Sequence, residues 1–354
     1  MLKANPGIFT RFVFHDDPAV SLRGILKTRN TLHIVTSDYA LDAPITVSGY
    51  FVNVGIIGVA TDGKYPTLSL TGPMLSHGVD AFIRVSDFRL LYLDGFELDA
   101  GGSFANFYGN LNHFIHASND RVTLKNLKLH KADESIDSAI YVEHSKILEV
   151  SHLEIWTDGY REPPLLETRK VDEVYLSDST VHGYPSECTL ILHENSYQVS
   201  YLNVALPIKQ ERFSYVFAYP GISIVYKDPE KFSANLSFEN IRTDPPSYHD
   251  PDLDWVQVPL WVNGPDQVHA SVTYKNNTFD RANTLMFLTD VHWKGDAAAI
   301  PILKTPQYEA FLKEDFVPKC LHRKYPSASI KGNKELIELR ISLDKLLNIS
   351  EREL

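Results

Sequence analysis

The chain has 354 residues, 44% hydrophobic and 22% charged, which suits one large or two average globular domains and not a disordered polymer. Its 45 acidic against 34 basic residues give a formal charge of −11 with no Lys/Arg cluster. That argues against a nucleic-acid or anionic-membrane partner, because both need a basic footprint. Cys188 and Cys320 set up neither a disulfide framework nor a zinc spacing. No apolar run is long enough to span a bilayer, and the opening Met1-Leu-Lys-Ala-Asn-Pro-Gly7 lacks the charged-then-apolar form of a signal peptide. Localisation stays open; an extracellular or virion-surface setting would follow from a removed leader or non-classical export.

Residues 1–30 carry Phe9, Phe12, Val13 and Phe14 without a clear period and read as an N-terminal cap. From Thr31 onward short alternating or β-branched runs follow one another, broken by Asp, Pro and Gly: Leu32-His-Ile-Val35, Ile45-Thr-Val47 and Val52 to Val59. That is the text of successive strands.

An octet then recurs: apolar, any, apolar, any, small polar, apolar, any, apolar. The copies are Leu91–Leu98, Val122–Leu129, Leu148–Ile155, Val174–Val181 and Val199–Leu206, with looser ones at Leu236–Thr243 and Val272–Phe279. Their starts are separated by 31, 26, 26, 25, 37 and 36 residues, a repeat with loop insertions, and repeats of this size built from strands predict a solenoid. Places one, three, six and eight are expected to face inward, with a bend at the fifth place, where Asn126, His152, Asp178, Asn203, Asn240 and Asn276 stand. A further strand precedes each octet, as in Phe82-Ile-Arg-Val85, Phe114-Ile-His116, Ile140-Tyr-Val142, Leu165-Leu-Glu167 and Leu190-Ile-Leu192. In-register stacking about 4.8 Å apart would let the bend side chains hydrogen-bond from coil to coil.

On these octets, and on the opening coil Leu32–Val47, the sequence resembles the right-handed parallel β-helix, or pectin-lyase-like, superfamily, in which an Asn ladder marks a tight bend. The resemblance covers about residues 31–290 and implies an all-β solenoid of three-strand coils over 31–295. It leaves function wide, since the scaffold serves polysaccharide lyases, glycoside hydrolases, epimerases, esterases, tailspikes and adhesins. Residues 296–354 lose the period; Pro306–Phe316 suits a short helix, and Asn333–Leu354 places Leu336, Leu339, Leu343 and Leu346 at helical spacing. That helix is open to three readings: a cap on the solenoid end, a short coiled coil that would make a homo-oligomer, or a frayed tail.

Candidate functional residues lie on outward positions. Five residues before each octet stand Ser86, Ala117, Glu143, Arg169 and Glu194; seven before stand Arg84, Ile115, Tyr141, Glu167 and Leu192. Glu143, Glu167, Arg169 and Glu194 form the expected catalytic set, with Tyr141 beside them, on the face where the resemblance implies a substrate groove. Glu143 and Glu194 would be about 9.6 Å apart, and Glu143 and Glu167 about 8 Å, near the range for the acid and base of an inverting glycosidase. Arg169 would hold a sugar carboxylate. The same file is equally an alternating-charge surface ladder.

Tyr141, and Trp156, Asp158, Tyr160 and Tyr184 on loops that would wall the groove, are the substrate-binding candidates. No metal ligand set is assigned; Asp133, Glu134 and Asp137 offer oxygen ligands for calcium, or are a solvated acidic loop. Thr157-Asp-Gly159 followed by His182-Gly183 matches only fragments of the polygalacturonase pattern, and no pectate-lyase Trp-Ile-Asp-His stretch occurs. Of the 14 histidines, His116 and His193 read as inward or bend residues and His152 as part of the ladder. The expectation is a carbohydrate-active enzyme, lyase or hydrolase, with a polysaccharide partner. The alternative is a non-catalytic glycan-binding or structural β-helix.

Overall fold

A computed structural model of the chain describes residues 8–15, 30–41, 44–48, 53–70, 81–99, 113–130, 138–157, 164–183, 190–207, 221–244, 257–263, 268–277, 284–289 and 292–295. They fall into two compact units, Met1–Asp158 with Leu165–His182, and Gly159–Pro164 with Gly183–Leu354. The regular structure among the described residues is all β, and strand pairs with a described register are parallel. The helices expected over 306–316 and 333–354 lie outside the described residues.

The first unit begins with short strands: β1 (Arg11–His15), β2 (Thr31–Val35), β3 (Tyr39–Leu41), β4 (Ile45–Ser48), β5 (Asn53–Gly58) and β6 (Thr67–Leu70). Four long ones follow: β7 (Ala81–Asp99), β8 (His113–His130), β9 (Ser138–Thr157) and β10 (Leu166–Gly183). β7 pairs along its length with three separate partners. Its start takes β4 (Ile45 with Ile83), its middle β5 (Val54 with Leu91) and its end β6 (Leu68 with Leu98). One long strand is therefore the sum of three short segments.

Left-handed residues make the breaks. The fifth octet place has φ of 78° at Gly95, 50° at Asn126, 53° at His152 and 49° at Asp178, and a second set sits at Asp87 (65°), His144 (50°) and Lys170 (53°). Gly and Asn adopt this region at least cost, which accounts for the small polar residue in the pattern. At Gly95 the demand is double: a Cβ there would run into the Gly58 carbonyl, and one on Gly58 into the Gly95 carbonyl.

Octet register holds across β7, β8 and β9. Leu91, Val122 and Leu148 are neighbours, as are Leu93, Leu124 and Val150, then Phe96, Leu127 and Leu153, then Leu98, Leu129 and Ile155. Each of these is at most 4% exposed. The core is thus a set of apolar files, and period two puts every intervening side chain outside.

The stretch before residue 31, which has no period in sequence, supplies β1, paired with β2 from Arg11–Thr31 to His15–Val35. Asn53 Nδ2 donates to the Ile8 carbonyl at 3.0 Å, and its backbone N–H donates to Asn30 Oδ1 at 3.0 Å. Phe9 and Leu32 sit over Gly55, where a Cβ would strike them. This covering explains why all five residues of β2 are buried.

The second unit repeats the scheme with β11 (Ile191–Glu194), β12 (Gln198–Pro207), β13 (Ile222–Val225), β14 (Ser233–Glu239), β15 (Arg242–Asp244), β16 (Gln257–Asn263), β17 (His269–Lys275), β18 (Thr284–Thr289) and β19 (His292–Gly295). Octet places again align: Val199, Leu236 and Val272, then Tyr201, Phe238 and Tyr274. Asn203, Asn240 and Asn276 are left-handed at 56°, 56° and 52°. Asn240 Nδ2 donates to Asn203 Oδ1 at 2.9 Å, one rung of a side-chain ladder.

Candidate functional site

In β9, Ile140 and Val142 are fully buried, so Tyr141 and Glu143 fall on the outward face. On the β8 side Tyr141 pairs with His116, and His116 with Arg84 of β7. On the other side β9 pairs with β10, and the Ile140 N–H donates to the Leu165 carbonyl at 2.9 Å. That bond sets an offset of 26 residues, which puts Tyr141 beside Glu167 and Glu143 beside Arg169.

This register corrects the sequence reading at β8. Ile115 and Ala117 are not in the outward files; they pair with Ile140 and Val142 and are fully buried. The cause is a bend one residue shorter: four steps from Ala117 to Arg121 match five from Val142 to Ile147. β8 lacks the left-handed residue found at Asp87, His144 and Lys170. Ser145 bridges the mismatch, accepting from the Asn119 N–H at 3.3 Å and donating to the Glu143 carbonyl at 3.1 Å. His116, set aside as an inward or bend residue, therefore stands in the outward file.

Its imidazole meets the carboxylate. His116 Nε2 lies 3.0 Å from Glu143 Oε1, and the Tyr141 hydroxyl donates to Glu143 Oε2 at 3.1 Å. Because an ionised carboxylate only accepts, Nε2 carries the proton. The exposed His144 reaches Oε2 at 3.8 Å. His116's hydrogen bond, above all, holds Glu143 well below the usual range, at about 2; burial works the other way, and the charge of His116, the Tyr141 hydroxyl and His144 add to the lowering. Burial pushes the Tyr141 hydroxyl up, helped by the charges of Glu143 and Glu167 and opposed by Arg169, so Tyr141 stays a donor.

A shell of aromatic and polar groups fixes this cluster. His113 stacks on Tyr141 with centroids 5.0 Å apart, and the His116 ring lies 4.9 Å from Tyr141. His113 Nδ1 donates to the Ser138 carbonyl at 2.9 Å, while Ser138 Oγ donates to Glu167 Oε2 at 2.8 Å. Glu167 is buried and Arg169 exposed. The arrangement is an ionised, hydrogen-bonded carboxylate with an exposed guanidinium on the next strand.

Glu194 belongs to the second unit, where it pairs with Val225 and is 5% exposed, so it does not offer an open carboxylate. His193 beside it is an inward residue hydrogen-bonded to the Tyr201 hydroxyl, and burial lowers its imidazole to about 3. Trp156 stacks on His130 (4.7 Å, 8°) and on His182 (4.8 Å, 18°), which belong to the strands on either side of it. An imidazole thus stacks on each face of the half-buried Trp156 ring. Asp158, Tyr160 and Tyr184, and the calcium candidates Asp133, Glu134 and Asp137, lie outside the described residues. Among the described residues no group of three His, Cys, Asp or Glu is placed to hold a metal ion, and no helix is long and apolar enough to cross a membrane.

His113, His116, Ser138 and His144 are the members that sequence reasoning missed. The available signal was the pairing of His116 with Tyr-x-Glu one coil on, hidden by the one-residue offset. Comparison of the chain with family models, with characterised proteins and with solved structures finds no match.

Proposed function

We propose that the chain is a right-handed parallel β-helix that acts on polysaccharide along the outward face of its first strands. The coil reading is supported by β7, whose three segments take three different partners in succession. The functional reading is carried by one observation, the His116–Glu143–Tyr141 cluster with Arg169 beside it. A face that only had to stay soluble would be served by freely solvated charges. Here desolvation is borne to hold one carboxylate ionised.

Of the two cleavage chemistries, elimination fits these groups better than hydrolysis. A glycosidase needs a carboxyl that carries a proton. Glu143 is held ionised, and Glu167 is buried beneath the Ser138 hydroxyl. Elimination needs a cation on a uronate carboxylate, which Arg169 would supply, a base for the neighbouring C–H proton, which the ionised Glu143 carboxylate would take while His116 Nε2–H stays on Oε1, and a proton for the departing sugar oxygen, which solvent would give. A second reading, a non-catalytic glycan-binding β-helix of the tailspike or adhesin kind, is favoured by the fact that both Glu143 oxygens are already engaged.

The test is a panel of plant, algal, bacterial and animal polysaccharides, with and without calcium, followed by absorbance of unsaturated ends and by new reducing ends. Unsaturated ends from an acidic polysaccharide, lost in Glu143→Gln and Arg169→Ala, are the expected result. No product on the whole panel would leave only the binding reading.

A further inference from the structure

A second outward file runs over the middle segments of the same strands. Tyr92 of β7 pairs with Thr123 of β8, and Thr123 with Glu149 of β9. The 26-residue offset brings Tyr175 of β10 beside Glu149, whose charge acts on the Tyr175 hydroxyl. Each tyrosine is tied to an acidic residue two places along its own strand: Tyr92 to Asp94 at 2.8 Å and Tyr175 to Glu173 at 2.9 Å. Such a bond makes the side chain lean along the strand, since alternate Cβ atoms on one face are about 7 Å apart. Between the two rings, Glu149 accepts from Arg121 at 2.6 Å and from the Thr123 hydroxyl at 3.3 Å.

On the β5 side the next place in the file is Gly55, and there Phe9 and Leu32 cover the sheet. The file therefore opens at Tyr92 against an apolar wall. Its two aromatic platforms are three strand spacings apart, about 14 Å, with groups that bond hydroxyls on the two strands between them. The four places of the file, Tyr92, Thr123, Glu149 and Tyr175, hold no apolar side chain, and the half-buried Ile147, in register with Arg121, adds apolar contact beside them. Asp94, Glu149 and Glu173 outweigh Arg121 and the neighbouring Lys125, which disfavours an acidic polymer.

We propose that this strip is a second binding site, separate from the Glu143 cluster, for a neutral linear glycan lying across the strands with sugar rings on Tyr92 and Tyr175. The ring faces supply apolar contact, and the partly exposed Glu149 and Arg121 supply hydrogen bonds to sugar hydroxyls, with Thr123 buried beneath as a brace for Glu149. The site does not depend on the chemistry proposed for the first-strand face.

The experiment is calorimetric titration of the whole chain with neutral β-linked hexasaccharides of glucose, xylose, mannose and N-acetylglucosamine. At least one is expected to bind. Tyr92→Ala and Tyr175→Ala should each weaken it about tenfold, while Tyr92→Phe and Tyr175→Phe keep the ring and stay within about threefold. Arg169→Ala should leave it unchanged. Circular dichroism checks folding, and Glu149→Ala, at a partly exposed position, gives a second route should a tyrosine variant not fold. The proposal is overturned by failure of all four hexasaccharides to bind, by Glu149→Ala and the folded tyrosine variants binding as the wild type does, or by equal loss in Arg169→Ala.

Discussion

Glu143 is the residue on which the site turns, and its behaviour with pH follows from its partners. Its folded pKa, about 2, lies below the ordinary 4.5 because His116 donates to it. The stabilisation is therefore complete above about pH 4.5 and is lost as the pH falls towards 2. Urea titrations of the wild type and Glu143→Gln across that window should converge at the acid end and diverge above it. The left-handed positions give a second prediction. His152 holds φ 53° where the strands on either side use Asn126 and Asp178, and it is exposed. His152→Asn should raise stability by about 0.5 kcal/mol and His152→Gly by about as much, whereas Asn126→Ala should cost about 1 kcal/mol. Gly95→Ala should cost far more, because its Cβ meets backbone that cannot swing away; thermal melts of the four variants rank them.

At the scale of the element, the octet was the legible part. In β7, β8 and β9 its inward places stack file on file with four aliphatic or aromatic residues per strand, decided by packing, while in β10 Ser179 takes the sixth place and accepts from the Leu153 N–H at 3.1 Å. Leu124→Ala, in the middle of such a file and fully buried, should therefore cost about 2–5 kcal/mol in chemical denaturation. The first strand was less legible because bends between segments vary in length. One residue fewer between Ala117 and Arg121 shifts the outward file by one place, and sequence spacing cannot see a bend that keeps the octet in phase. His116 was misplaced for that reason alone. The Trp156 stack was hidden differently: its neighbours, His130 and His182, are 26 residues away on each side, and their ring-on-ring contact is legible only once register is known. Trp156→Phe should preserve the stack and Trp156→Ala should expose both imidazoles, with a loss of about 3 kcal/mol, read from the melt.

The whole chain carries a formal charge of −11, yet its described core holds neutral imidazoles. In the first unit His15 and His33 are buried with Nε2 of the one 3.2 Å from Nδ1 of the other, and His33 is lowered to about 4 by burial first, then by His15 and Arg11. In the second unit His193 is lowered to about 3. An unfolded chain takes up these protons near pH 6.5 while the folded one refuses them, so stability should fall steadily as pH drops from 6.5 towards 4. His33→Leu should flatten that slope. Strands and core were thus written largely in the repeat, and the candidate site was written in contacts between neighbouring strands. Those contacts depend on register and on the loops that set it.

The most direct measurement compares the wild type with Glu143→Gln on the acidic polysaccharide fragment that the panel selects, following turnover and affinity together. Affinity should stay within a few-fold while the release of unsaturated ends drops by about 10²-fold or more. Equal turnover in the two proteins, or no turnover by the wild type on any acidic polysaccharide, would contradict this role for Glu143.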